Sequence, residues 1–230
     1  MDKEARKIID LYGLQPYLWD FILTNGDAAF NPYHNLLHAF RMAIAAHAAA
    51  VEEAPLTQWG PNQFATIVVA CLFHDWRHPG GVGKNDAENV RIAAEKVLYL
   101  PPLPGAGVLS WDAKLAHSGI LGTVFPLPDD VQVTDLPYIA QVMRDSDVWN
   151  AAFLSDSDYL AMQVGLAKEA GKPLAEHLAG NSTFLQNAPA ITGWGRKVAD
   201  RDGHRDRMAG LNEKWAQQAR NWASATLVQQ

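Results

Sequence analysis

Cysteine is almost absent from this chain. Cys71 stands alone in 230 residues, so no disulfide can form within it. The fold must be held by its core, and Cys71 lies inside the apolar run FATIVVACLF, where a thiol serves as a small hydrophobe. No segment approaches the roughly 18 apolar residues that a bilayer-crossing helix needs. The opening MDKEARKIIDLYG is charged and amphipathic and has no apolar secretory core. These absences predict a soluble, cytoplasmic protein with no membrane partner. Charge is sparse too, at 19% of residues, and the formal net charge is −6. That balance disfavours long nucleic acid as a partner, because duplex binding rests on phosphate neutralisation by Lys and Arg. Also missing are alternating strand patterns, Asn-Gly hairpin signals between β-branched runs, internal repeats and low-complexity segments.

What remains is helical periodicity. Residues 2–23 read as two short helices broken near Gly13, followed by the Asn25-Gly26 turn. The Ala-rich stretch NLLHAFRMAIAAHAAAVEEA has strong helix propensity, and Pro55 is expected to follow its end. Pro61 suits the first turn of a helix running to about Trp76. Further helices are expected from Asp86, from Ser110 or Asp112, after Pro137 and from about Asp156, with turns near Gly171, Gly180 and Gly203. Hydrophobic residues make up 48%, enough to support one large core. The prediction is an all-α, compact single-domain bundle of about eight to ten helices over residues 1–230. Residues 32–150 would form its functional core, and helices over 156–225 would complete the bundle and a pocket.

The helix from Pro61 raises a chemical question. Phe64, Ile67, Val68, Val69, Cys71, Leu72 and Phe73 cover most of its circumference, which predicts a central position. It then runs into His74 and Asp75, placing a carboxylate at the negative end of the helix dipole. An unpaired buried carboxylate costs several kcal/mol, of order the usual penalty for a buried ion, so a cation is expected beside it. A metal meets that need economically, and an arginine would also serve. YHNLLHAF supplies His34 and His38, four residues apart and expected on one helical face, and MRDSDVWN supplies Asp145 and Asp147. His38, His74, Asp75 and one of the two aspartates make an N₂O₂ set suited to zinc, manganese, iron or a similar divalent ion. The D-S-D spacing leaves open which aspartate contributes.

Each fragment alone is common, whereas the combination of YHNLLHA, HDWRHPG and a later Ser146-Asp147 is not. Together these segments resemble the HD superfamily of metal-dependent phosphohydrolases, most closely the branch containing the 3′,5′-cyclic-nucleotide phosphodiesterase catalytic domains. The resemblance covers about residues 32–150. It implies a helical bundle in which His38, His74, Asp75 and Asp147 hold a first metal and Asp75 bridges to a second. Zn, Mn, Mg and Fe are the candidate ions. It further implies that His34 donates a proton to the leaving group and that His78 hydrogen-bonds near the bridging hydroxide. Asp145 is then assigned a supporting place behind the ligands. The chain is shorter than those catalytic domains, and its NDAENVRIAAEKV and FLQNAPAITGWGRK segments look more like the small bacterial HD phosphohydrolases.

Other side chains admit two readings. Arg77, Lys84 and Arg144 are either a basic rim for phosphate or solvated surface charges. Glu88 either orients water or a histidine, or is a helix-face carboxylate. Gln186 is a weak counterpart of the glutamine that grips the purine in the cyclic-nucleotide enzymes, and Trp76 or Trp149 a candidate stacking wall. His117 reads more readily as a satisfied core residue than as an extra ligand, and His47, His177 and His204 read as structural. The expected function is hydrolysis of a phosphoester of a small nucleotide by a metal-bound hydroxide, a cyclic 3′,5′-diester first. An HD nucleotidase or deoxynucleoside triphosphohydrolase is the alternative. A di-iron oxygenase on the same scaffold is disfavoured, since only His78 and His117 lie between His74-Asp75 and Asp147. A non-catalytic nucleotide-binding domain is disfavoured because every matched ligand is present. Homo-oligomerisation is compatible with all of these readings.

Overall fold

Capping chemistry sets most helix boundaries. Asn35 has extended backbone angles, and its side-chain oxygen accepts the N–H groups of Leu37 and His38, which starts a long helix at Leu36, two residues past His34. Asp112 caps another start in the same way, through the N–H groups of Lys114 and Leu115. Pro61 occupies the first turn of its helix, where a missing N–H costs nothing. The computed structural model describes residues 3–81, 85–101 and 110–227. Among them are eleven α-helices: α1 (Lys3–Leu11), α2 (Gln15–Thr24), α3 (Leu36–Thr57), α4 (Pro61–Phe73), α5 (Asp86–Leu98), α6 (Ala113–Leu121), α7 (Tyr138–Trp149), α8 (Asp156–Glu169), α9 (Leu174–Asn187), the single turn α10 (Gly193–Arg196) and α11 (His204–Leu227). There is no strand among the described residues, and the fold is the expected all-α bundle.

Four local expectations are corrected. Pro55 lies inside α3 rather than beyond it, and the helix ends where Gln58 turns left-handed at φ 57°. The carbonyl that Pro55 leaves without an N–H partner is that of Val51, whose side chain lies on the solvent face. His34 precedes α3 instead of sharing its face with His38, because Asn35 holds the cap position. The helix α4 stops at Phe73, so Asp75 and Trp76 sit in the turn beyond it. Gly180 lies within α9, while Gly171 and Gly203 do make turns, both at positive φ.

The helix α4 is the centre of the bundle, with every residue from Ala65 to Phe73 buried. It packs against α3, α6 and α7. Ala39, Ala43, Ala46 and Ala50 recur at helical spacing along α3, all buried, and their small side chains let α3 lie close to its neighbours. Burying each large aliphatic side chain of α4 contributes about 1.5–3 kcal/mol. Helices α3, α4 and α7 contact one another, so the segments carrying His38, His74 and Asp147 are mutual neighbours by packing.

The C-terminal helices form a further layer in which α8 and α11 pack on α9. Helix α8 also reaches the functional core. A Cβ added to Gly165 would lie 2.5 Å from the Pro32 carbonyl oxygen, so only glycine permits α8 this close to the loop before His34. No described helix is long and apolar enough to cross a membrane.

Candidate metal centre

The turn after α4 presents His74 and Asp75 to the start of α3 and the end of α7. His74 Nδ1–H donates to the Cys71 carbonyl at 2.7 Å, which fixes the ring and turns Nε2 the other way. Around that Nε2 lie His38 Nε2 at 3.2 Å and Asp75 Oδ2 at 2.9 Å. His38 Nε2 is in turn 3.3 Å from Asp75 Oδ2 and 3.2 Å from Asp147 Oδ1. Asp75 Oδ2 is buried and receives no hydrogen bond from the described residues. A nitrogen lone pair and a carboxylate oxygen this close repel unless a cation stands between them. Ligands bound at about 2.0–2.2 Å lie roughly 3 Å from one another around one ion, which matches this spacing. His38, His74 and Asp147 form a group able to hold a metal ion, and Asp75 Oδ2 lies beside its two histidine nitrogens.

Without a metal, protons meet the same need. Burial opposes charge on His38, yet its contacts with Asp147 and Asp75 outweigh burial and push it up to about 9. His74 also stands above its ordinary value, against burial, because of Asp75. Burial would raise both aspartates, but the histidines hold Asp75 and Asp147 down.

A second cluster adjoins the first. His34 Nδ1 lies 2.5 Å from Glu169 Oε2 at the end of α8, and Glu169 Oε1 accepts the backbone N–H groups of Tyr33 and His34. These bonds overcome burial and hold the Glu169 carboxyl down at about 2. The His34 ring stacks on His78 with centroids 3.9 Å apart and planes at 25°. Gly80 N–H donates to His78 Nδ1 at 3.1 Å, and burial plus the neighbouring His34 charge lowers His78 to about 4. His78 is thus neutral at neutral pH. His34, His78 and Glu169 also place three donor atoms near one another, with His34 Nδ1 and Glu169 Oε2 hydrogen-bonded to each other.

Both clusters open onto a cavity of about 460 Å³, within the range of small-ligand sites. His34, His74, Asp75, His78 and Asp147 line it on one side, and residues of α8 and α9 on the other. Asp86 lines it too, accepting Phe125 N–H at 2.6 Å; burial raises its carboxyl, offset in part by that bond. Phe125 meets Phe184 edge to face, with ring centroids 5.9 Å apart.

Not every expected residue reaches the cavity. Asp145 points the other way and accepts from Ile191 N–H, Thr192 N–H and Thr192 Oγ1, so it anchors the loop before α10 rather than backing the ligands. Arg77 is held outside, at φ 59°, with its Nε–H on the Thr24 carbonyl and its guanidinium over the Trp76 ring. Arg144 bonds the Gly122 and Val124 carbonyls, and exposed Glu88 pairs with Arg91. Gln186 is exposed on α9, Trp149 is fully buried, and neither they nor Trp76 line the cavity. Lys84 lies outside the described residues. His47 is a structural partner of Tyr12 Oη, as expected, whereas His177 lines the cavity.

Sequence reasoning missed Glu169, Asp86, Gln163 and Lys172. None carries a local signature, since each matters only through packing of distant helices. Comparison with protein-family models and with curated proteins finds no match to this chain.

Proposed function

We propose that this chain is a metal-dependent phosphohydrolase acting on a nucleotide-sized phosphoester, a cyclic 3′,5′-diester first. The observation that carries the reading is the convergence of His38, His74, Asp75 and Asp147 beside His34 braced by Glu169. The likeness of YHNLLHA and HDWRHPG to the HD phosphohydrolases supports the same reading. A divalent ion held there supplies Lewis acidity toward phosphoryl oxygens and makes bound water more acidic.

The chain's own residues do the rest. Glu169 fixes the His34 ring through Nδ1, which leaves Nε2 without a partner among the described residues and available to protonate a leaving oxygen. Neutral His78, stacked on that ring, retains a nitrogen to hydrogen-bond the attacking water. Phe125, Val148 and Met162 give the cavity apolar surface that excludes water around the ester. The nucleotidase alternative places a terminal phosphoryl group at the same centre.

The test incubates purified protein with Mn²⁺, Mg²⁺ or Zn²⁺ and cyclic nucleotides, nucleoside monophosphates and triphosphates, resolving products by chromatography beside a chelator control. Conversion of a cyclic 3′,5′-nucleotide to a monophosphate, abolished by chelator, is the expected result. Turnover of deoxynucleoside triphosphates alone selects the alternative. Metal uptake without any turnover overturns both.

A further inference from the structure

Across the cavity from the carboxylates and histidines, α8 and α9 build a wall of a different kind. Gln163 is only 1% exposed, yet it lines the cavity. Its Oε1 accepts His177 Nε2–H at 2.9 Å, so its acceptor is used and its amide N–H₂ has no partner among the described residues. Asn181 shows the same polarity. Its Oδ1 takes Asn212 Nδ2–H at 2.8 Å and the Tyr159 hydroxyl at 3.4 Å, which leaves its N–H₂ without a partner among the described residues. Burial, with the Lys172 charge adding to it, keeps the His177 ring below its ordinary value.

Lys172 is the only lysine or arginine among the described residues that line the cavity. Its partner Glu176, the carboxylate on this wall, lies 3.8 Å away, and both side chains are more than half exposed, at 54% and 63%. Such a pairing is weak and yields readily to a better anion. Two cavity-lining amides whose N–H₂ groups have no partner among the described residues and a loosely held ammonium make a donor surface. A neutral heterocycle, which offers donors and acceptors together, would leave it mismatched. A phosphate, which has oxygen acceptors only, would not.

We infer that this wall binds a second phosphate of the substrate through Lys172, Gln163 and Asn181, while the ester to be cleaved lies at the metal centre. The substrate class is therefore a phosphoester carrying another phosphate elsewhere, such as a dinucleotide or a phosphorylated nucleotide, rather than a nucleotide with one phosphate. The inference rests on the hydrolase reading only for where the first phosphate lies.

Calorimetric titration with adenosine 5′-monophosphate and adenosine 3′,5′-bisphosphate tests it, since the two differ by one phosphate. Both are titrated into Mn²⁺-loaded and chelator-treated protein. The bisphosphate should bind about tenfold tighter, the scale of one charge-assisted contact set. Lys172→Met should erase that preference while leaving monophosphate affinity within about twofold, and Lys172→Arg should keep most of it. Gln163→Leu should reduce it several-fold. Equal affinity for the two probes in wild type overturns the inference, as does Lys172→Met weakening both alike. Failure of the hydrolase reading looks different, with no Mn²⁺ uptake but the bisphosphate preference intact in chelator-treated protein.

Discussion

Glu169 Oε2 lies 2.5 Å from His34 Nδ1, across 135 residues of chain, and the same carboxylate receives the backbone N–H groups of Tyr33 and His34. One side chain of α8 thereby holds the ring and the loop that carries it. If His34 is the proton donor, Glu169 acts through it. His34→Asn should lower kcat by about 10²–10⁴-fold. Glu169→Gln should lower kcat by roughly tenfold or more with KM little changed, and the double variant should be no worse than His34→Asn alone. Steady-state kinetics with metal content measured in parallel decides this, and additive losses would separate the two residues' roles.

Metal and proton compete for the same donors, so uptake should depend on pH. The folded-state value of His38 is raised from 6.5 to about 9, and the metal requires its neutral form. Apparent affinity should rise as pH rises toward 9, by up to about tenfold per unit for one displaced proton. The metal-free protein should show the opposite sign. The stabilisation from charged His38 is fully present below pH 6.5 and is lost as pH rises through 9, on the order of 3 kcal/mol. Mn²⁺ titrations and chemical unfolding between pH 6 and 9.5 measure both trends.

Asp145 and Asp147, two residues apart, should fail in different ways. Asp147→Asn should abolish stoichiometric metal binding with modest change in folding, because its oxygen faces His38. Asp145→Asn should retain metal yet lose about 1–3 kcal/mol of stability, because its bonds hold Ile191 and Thr192. Metal analysis together with denaturant unfolding distinguishes them, and metal loss in Asp145→Asn with intact stability would reverse the assignment.

Glycine substitutions give a contrasting pair. A Cβ on Gly195 would sit 2.1 Å from Asp145 Oδ2, so Gly195→Ala must dislodge the carboxylate and should cost about 2–4 kcal/mol. Nothing lies within 4 Å of a Cβ on Gly210 inside α11, so Gly210→Ala should stabilise by about 1 kcal/mol. Thermal unfolding of the two variants checks both signs.

The legible part of the site was the part built from short segments. Asp75 stood out because a carboxylate closes the most apolar helix, and His38 and His74 because adjacent segments carried them in a recurrent pattern. The two aspartates were not separable by spacing, since the side that each faces depends on where α10 docks. Asn35 carries its capping chemistry in the sequence, and that cap keeps His34 outside α3. Glu169, Gln163 and Lys172 were invisible for a physical reason. Their positions follow from α8 meeting the Pro32 loop at Gly165 and packing on α9, and neither meeting leaves a mark on local periodicity.

The close approach at Gly165 also orders events during synthesis. His38, His74, Asp75 and Asp147 all emerge from the ribosome before Gly165 and Glu169. A nascent chain therefore acquires its metal donors while His34 still lacks the carboxylate that aims it and the cavity still lacks its far wall. The residues that could hold an ion are therefore synthesised before the helix that only glycine lets settle against Pro32, and on the proposed reading chemical competence would wait on that helix.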